Sequence, residues 1–130
     1  MKKAVLIGIN YAQDNDLRLN GCINDTVTVT RFLKEHNFTQ DDITVATDND
    51  GSWGTRQDIL DEVDKLASFG IENPDALLWL SFSGHGGQTM KNYANTNEAD
   101  RKNEALVPTD YYKSGFVTDD ELYCAINTRM

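Results

Sequence analysis

Two long apolar runs set the strongest limit on how this chain can fold. Residues 3–9 read K-A-V-L-I-G-I and residues 76–82 read A-L-L-W-L-S-F, and neither alternates regularly between polar and apolar side chains. Such runs are typical of strands that are buried on both faces, as in parallel sheets covered by helices. We therefore expect a mainly parallel sheet in which the second run is as deeply buried as the first.

The segments between the two runs predict helices. Apolar residues recur at helical spacing in residues 23–37 and again in residues 55–70, where a capping box at Thr55 precedes the pattern. Residues 43–46 add a short strand between these helices. The order strand, helix, strand, helix, strand predicts right-handed crossovers with helices on both faces. The expected fold class is α/β, a three-layer α/β/α sandwich formed by a single domain over residues 1–130.

The pattern weakens after the second apolar run. Residues 86–103 are polar and lack a period, which predicts either a functional or a disordered loop. Residues 105–108 are expected to form a short strand. Thr118 and Glu121 have the spacing of a second capping box, which predicts the start of a final helix.

Composition and charge exclude several classes of function. The net charge of −9, from 12 basic and 21 acidic side chains without a basic run, argues against nucleic-acid binding. No segment approaches the ~20 apolar residues that a membrane span requires. Two cysteines, Cys22 and Cys124, are too few for a disulfide framework, and the N-terminal apolar stretch is too short for a secretion signal. A reducing, cytoplasmic setting is therefore expected.

A histidine between glycines follows the second apolar run. Residues 83–87 read S-G-H-G-G, at the end of a predicted parallel strand, where open α/β sheets bind ligands. The glycines leave the imidazole of His85 uncovered. Histidine titrates near ~6.5 in model peptides, so it can exchange a proton at neutral pH. On residue chemistry alone, a catalytic histidine and a glycine-rich turn with an incidental histidine remain open alternatives.

Five segments, which make four matches in their order along the chain, resemble one family. They are residues 4–11 (A-V-L-I-G-I-N-Y), 19–25 (L-N-G-C-I-N-D), 81–88 (S-F-S-G-H-G-G-Q), and the pair 104–110 (E-A-L-V-P-T-D) and 115–120 (G-F-V-T-D-D). Together they resemble the histidine-bearing part of a caspase-like cysteine peptidase, peptidase C14, of the metacaspase branch. The resemblance implies a partial caspase-like fold of the p20 type.

The resemblance also implies a reaction and its residues. Peptide bonds would be hydrolysed by a cysteine thiolate with a histidine partner, and no cofactor is needed for that chemistry. His85 matches the catalytic histidine, and Gly86 matches the residue whose backbone N–H holds the oxyanion. Cys22, Asp25 and Ser83 match residues of the primary specificity pocket. A buried carboxylate at Asp25 implies substrates with arginine or lysine before the cleaved bond.

The family nucleophile has no counterpart in these 130 residues. It belongs to a D-x-C-x-x-G box downstream of the D-D segment, and no such box occurs here. Cys124 is expected to be a buried, small hydrophobic residue of the final helix, and Cys22 to line the pocket. The chain is thus expected to be an N-terminal piece of an endopeptidase, truncated at its C-terminal end and inactive by itself.

Calcium is a further expectation from the resemblance. Asp119 and Asp120 match acids that bind calcium in many metacaspases, and carboxylate oxygens suit that hard cation. Asn103 occupies a place where the family often has an aspartate. Calcium is therefore expected as an activator, with Asp119, Asp120 and Asn103 as ligands.

Two other functions remain as alternatives. One is a non-catalytic caspase-like module that binds basic peptides or pairs with a homologous chain; the other is an unrelated doubly wound binding domain. Apart from a protein or peptide substrate with a basic residue, the expected partner is a second copy, because an open edge of the third strand invites pairing. No nucleic acid or membrane partner is expected.

Overall fold

The computed structural model describes residues 1–49, 53–90 and 102–129, with backbone alone at 88–90, 102–104 and 127–129. A short 3-10 helix, Gln40–Asp42, precedes the second strand. The elements in chain order are β1 (Lys2–Gly8), α1 (Cys22–Glu35), β2 (Ile43–Thr47), α2 (Arg56–Glu72), β3 (Leu77–Ser83), β4 (Gly86–Met90), β5 (Lys102–Leu106), α3 (Tyr111–Ser114), β6 (Val117–Thr118) and α4 (Asp119–Arg129).

The first strand, β1, is the centre of a parallel sheet with the order β2-β1-β3. Its side chains alternate between two cores. Ala4 and Leu6 pack with Leu33 of α1, whereas Val5 and Ile7 pack in the cluster that contains Ile59 of α2. Because successive strand residues point to opposite faces, the two helices cover opposite faces of the sheet. The predicted three-layer α/β/α arrangement is confirmed.

The third strand is less buried than its composition predicts. All residues of β3 after the exposed Leu77 are only half-buried, whereas the last five residues of β1 are fully buried. In the described part of the chain, β3 pairs with β1 on one side and with no strand on the other. The expectation that this run is a deeply buried strand is therefore wrong, since burial of a strand also depends on a neighbouring strand on each side.

Both predicted capping boxes are present. The Asp58 N–H donates to Thr55 Oγ1 at 3.2 Å and the Thr55 N–H donates to Asp58 Oδ2 at 3.2 Å, which satisfies backbone donors at the start of α2. The Glu121 N–H donates to Thr118 Oγ1 at 3.1 Å, and Glu121 Oε1 accepts from the Thr118 N–H at 3.2 Å.

Among the described helices, none is long and apolar enough to cross a membrane.

A second, antiparallel sheet follows the histidine segment. Strands β4 and β5 pair from Gly86 opposite Leu106 to Met90 opposite Lys102, and β5 also pairs with β6. The predicted loop over 86–103 is therefore wrong at 86–90 and 102–103, while residues 91–101 lie outside the described residues. The predicted short strand lies earlier, at Lys102–Leu106. Backbone pairing requires no apolar side chains, so this polar sequence carried no strand signal.

Candidate active site

The parallel register brings two loops together at one edge of the sheet. Gly8 at the end of β1 lies opposite Ser83 at the end of β3, and the Ile9 N–H donates to the Ser83 carbonyl at 2.9 Å. The loop that follows β1 therefore meets the S-G-H-G segment. This edge is where open α/β sheets place their ligand sites.

The imidazole of His85 is oriented by a backbone carbonyl. His85 Nε2 lies 2.7 Å from the Leu17 carbonyl oxygen, and the half-buried ring lies against the ring of Tyr11 with centroids 4.9 Å apart. A carbonyl can only accept a hydrogen bond, so Nε2 carries the proton in this contact. In the neutral imidazole the lone pair is then on Nδ1, and that atom is the one able to take a proton.

The Leu17 carbonyl is itself held by a compact loop. Asp14 Oδ1 accepts from the Asp16 N–H at 2.9 Å and from the Leu17 N–H at 3.2 Å. The hydroxyl of Tyr111 donates to Asp14 Oδ2 at 3.1 Å, and this hydrogen bond to the carboxylate raises the pKa of Tyr111. Asp14 therefore links the helix after β5 to the carbonyl that orients His85.

Asp25 and Ser83 meet at the same edge, although they are distant in the sequence. Ser83 Oγ donates to Asp25 Oδ2 at 2.5 Å. Asp25 lies in the first turn of α1, where a carboxylate interacts favourably with the helix dipole. The side chain is exposed in the described structure, not buried as expected.

The two cysteines have different environments. Cys22 is 8% exposed, its thiol is free, and its N–H donates to Asn10 Oδ1 at 2.9 Å. A Cβ added at Gly8 would lie 2.6 Å from the Cys22 carbonyl oxygen, so α1 starts directly against β1. Cys124 is exposed, and the expectation of a buried side chain is wrong, since α4 turns that position outward.

The three residues expected to bind calcium are only partly described. Asp119 and Asp120 open α4, next to Glu121, which forms an ion pair with Arg56. The side chain of Asn103 lies outside the described residues. Within the described residues, no group of three histidine, cysteine, aspartate or glutamate side chains is arranged to hold a metal ion.

Two residues of the site were missed as functional candidates. Tyr11, 2% exposed, has its ring against His85, and Asp48, also 2% exposed, accepts hydrogen bonds from the N–H groups on either side of Tyr11. Tyr11 is only the last letter of a matched segment in the sequence. Asp48 directly follows β2, and the tendency of sites to lie beyond the carboxyl ends of parallel strands could have drawn attention to it.

Comparisons with known proteins identify a family for this chain. The family model described as metacaspase, peptidase C14 domain, matches residues 2–130. Metacaspase-1 of Mycosarcoma maydis is 41% identical over 125 residues, covering 94% of this chain and 30% of that protein. Metacaspase-1 of Candida albicans is 40% identical over 129 residues, covering 94% of this chain and 28% of that protein. The chain thus spans less than a third of the length of these relatives.

A solved structure has a similar fold. The crystal structure of a protein from Geobacter sulfurreducens matches with a TM-score of 0.62 and 25% sequence identity. The match covers 95% of this chain and 43% of the other.

Proposed function

The chain belongs to the metacaspase peptidase C14 family, and from that premise we propose that it supplies the histidine of a cysteine endopeptidase that cleaves after arginine or lysine. Membership of a cysteine peptidase family makes proteins the class of substrate. The observation that carries the proposal is the contact between His85 Nε2 and the Leu17 carbonyl, because it leaves Nδ1 as the atom that exchanges a proton.

The proposed reaction uses His85 as base and then as acid. Nδ1 takes the proton of a cysteine thiol that lies outside this chain, and the thiolate attacks the carbonyl carbon of the substrate. The oxyanion formed is stabilised by backbone donors, among them the N–H of the exposed Gly86. When the C–N bond breaks, the leaving amine takes the proton from Nδ1. Water then hydrolyses the thioester and regenerates the thiol.

The proposed preference for basic residues rests on carboxylates near His85. Asp25 is paired with Ser83, two residues before the histidine, and its exposed carboxylate is accessible to a cationic side chain. Three further acids, Asp14, Asp16 and Asp48, line a cavity of about 450 Å³, and Tyr11, whose ring contacts His85, also lines it. A negative surface of this kind attracts cationic groups through its summed field.

A hybrid protein tests the proposal. Residues 1–130 would replace the matched segment of the Candida albicans relative, and the hybrid would be assayed with reporter peptides that carry arginine, lysine or aspartate before the cleaved bond. We expect turnover after arginine and lysine only, and none by the 130-residue chain alone.

Two outcomes would contradict this assignment. A folded hybrid, verified by circular dichroism and size exclusion, that cleaves nothing while the parent protein is active would favour a non-catalytic module that binds basic peptides. Turnover by the 130-residue chain alone, abolished by Cys22→Ala, would make Cys22 a nucleophile and not a pocket residue.

Calcium as an activator remains a proposal. Adjacent carboxylates at Asp119 and Asp120 are reasonable oxygen ligands, with Asn103 contributing a carbonyl. In the hybrid assay, calcium is expected to raise activity and Asp120→Asn to shift the response to higher calcium concentrations. Activity that is equal with calcium and with a chelator would remove calcium from the proposal.

A reducing, cytoplasmic setting also remains a proposal, supported by two free thiols and testable by cell fractionation.

Self-association is proposed through the outer edge of β3. This edge has no strand partner in the described part of the chain, and Leu77 at its start is 57% exposed. An unpaired edge offers backbone groups to another chain, and a lysine on the edge discourages that pairing. Light scattering is expected to give a mass above the monomer, which Leu77→Lys reduces.

The matched control is Val27→Lys. Val27 is 52% exposed and belongs to α1, not to β3, so this variant adds the same charge without placing it on the strand. A monodisperse monomer at high concentration, or an equal effect of both variants, would contradict association through β3.

A further inference from the structure

The hydroxyl of Tyr11 bridges the two segments that enclose His85. It donates to the Val107 carbonyl at 2.6 Å and accepts from the His85 N–H at 2.9 Å. The Val107 N–H in turn donates to the His85 carbonyl at 3.1 Å. Both backbone groups of the histidine are therefore held, one through the tyrosine and one directly.

The ring of Tyr11 also restricts the imidazole itself. The two ring centroids are 4.9 Å apart with a tilt of 46°, and the tyrosine is 2% exposed. With Nε2 held by the Leu17 carbonyl, the imidazole is supported on one face and at one nitrogen. A fixed ring direction matters because proton transfer requires the donor and acceptor atoms to lie within hydrogen-bond reach.

This place for the tyrosine requires an unusual backbone. Tyr11 has a φ of 56°, in the left-handed region that bulky residues rarely adopt unless their surroundings impose it. The two amides on either side of it donate to one buried carboxylate: Asp48 Oδ1 accepts from the Asn10 N–H at 2.9 Å and Oδ2 from the Ala12 N–H at 3.3 Å. Hydrogen bonds to an ionised acceptor are stronger than neutral ones. Asp48 therefore fixes the turn that directs the tyrosine toward the histidine.

The glycine before the histidine leaves room for the hydroxyl. A Cβ at Gly84 would lie 2.9 Å from the Tyr11 hydroxyl oxygen and 2.9 Å from Phe82 Cζ, which is closer than real Cβ contacts. Gly84 thus serves the bridge between Tyr11 and His85. Burial raises the pKa of Tyr11 to about 12, so the hydroxyl keeps its proton, and its bond to Val107, at neutral pH.

We propose that Tyr11 and Asp48 are positioning residues for His85: Asp48 holds the turn at Tyr11, and the Tyr11 hydroxyl and ring hold the histidine. Neither residue exchanges a proton with the substrate, because the hydroxyl faces two backbone groups and the carboxylate faces two amides. The proposal rests on the proposed function only in that it takes His85 as the catalytic histidine.

Nuclear magnetic resonance on the 130-residue chain tests the positioning without any hydrolysis. The chain has two histidines, so His36, at the exposed end of α1, is an internal reference for ring signals. Tyr11→Phe removes the hydroxyl alone. It is expected to speed hydrogen exchange of the His85 amide and of the His85 Nε2–H by about tenfold, the factor for loss of one hydrogen bond. The amide of Leu6, in the centre of β1, reports global opening and is expected to change less than about threefold.

Matched variants complete the design. Tyr123→Phe deletes a hydroxyl from a tyrosine that is 69% exposed and is expected to leave the His85 signals unchanged. Asp48→Asn keeps every atom of Tyr11 and is expected to speed exchange of the His85 amide by about threefold, as weaker support of the turn implies. If Tyr11→Phe is too unstable to give a spectrum, the exchange rates of Asp48→Asn decide whether the turn at Tyr11 positions His85.

Two results would overturn the proposal. The first is exchange at His85 that stays within about twofold of the unchanged chain in Tyr11→Phe; the second is equal acceleration at His85 and Leu6, which would make Tyr11 a stability residue only. In the active hybrid, positioning also predicts that Tyr11→Phe lowers kcat about tenfold at constant KM. An inactive, folded hybrid would contradict the proposed function and leave the exchange result standing.

Discussion

Replacement of His85 by alanine is expected to lower the kcat/KM of the hybrid enzyme about 10³-fold or more, the range of effects known for removal of a general acid and base. The fall should lie in kcat, since the proposed proton exchange uses Nδ1 of the imidazole and the proposed specificity residues, Asp25 and Ser83, are separate side chains. Initial rates with an arginine reporter peptide, measured across a range of concentrations, give both constants.

The matched control for this variant is His36→Ala. His36 caps the end of α1, where its Nδ1 lies 2.8 Å from the Phe32 carbonyl oxygen, and it takes no part in the site. We expect its kcat/KM to stay within about twofold of the unchanged hybrid, as for a surface substitution. If His85→Ala kept more than about a tenth of the activity, another group would have to be the acid and base.

The central strand and the starts of α2 and α4 could be predicted because their signals are local. The apolar run of β1 and the capping boxes at Thr55 and Thr118 are properties of neighbouring residues. The burial of β3 could not be predicted this way, because it depends on which strands lie on either side. The pairing of β4 with β5 was missed because backbone hydrogen bonds leave no mark on a polar sequence.

The residues of the candidate site also fall into those that the sequence predicted and those that only the structure shows. His85, Ser83 and Asp25 were predicted together, from a strand end and a family resemblance, and the structure places Ser83 in contact with Asp25. Tyr11 was not predicted as a site residue, because its proposed role depends on a positive φ and on the space left by Gly84. A pattern of apolar residues indicates neither of these. The family resemblance therefore indicated the candidate residues of the site, and three-dimensional contacts indicate which residues hold them in place.

Replacement of Asp25 by asparagine is expected to lower kcat/KM for arginine and lysine peptides about 10²-fold, because a substrate cation would lose its charged partner. Asparagine has nearly the same shape and still offers an oxygen to the Ser83 hydroxyl, which now lies 2.5 Å from Asp25 Oδ2. The loss should therefore come from charge and not from a collapsed pocket. The measurement is the ratio of kcat/KM for an arginine peptide to that for the same peptide with glutamine.

The control variant Asp41→Asn distinguishes two sources of a preference for arginine peptides: a direct ion pair with Asp25, and the electrostatic field of the whole chain. Asp41 is exposed in the 3-10 helix before β2, so its removal makes the same change to the net charge of −9. If long-range attraction set the preference, both variants would lower the rate for arginine peptides alike, and salt would reduce the difference between substrates. A direct pair with Asp25 predicts that only Asp25→Asn changes the arginine-to-glutamine ratio. An unchanged ratio in Asp25→Asn would move the source of basic specificity to other carboxylates.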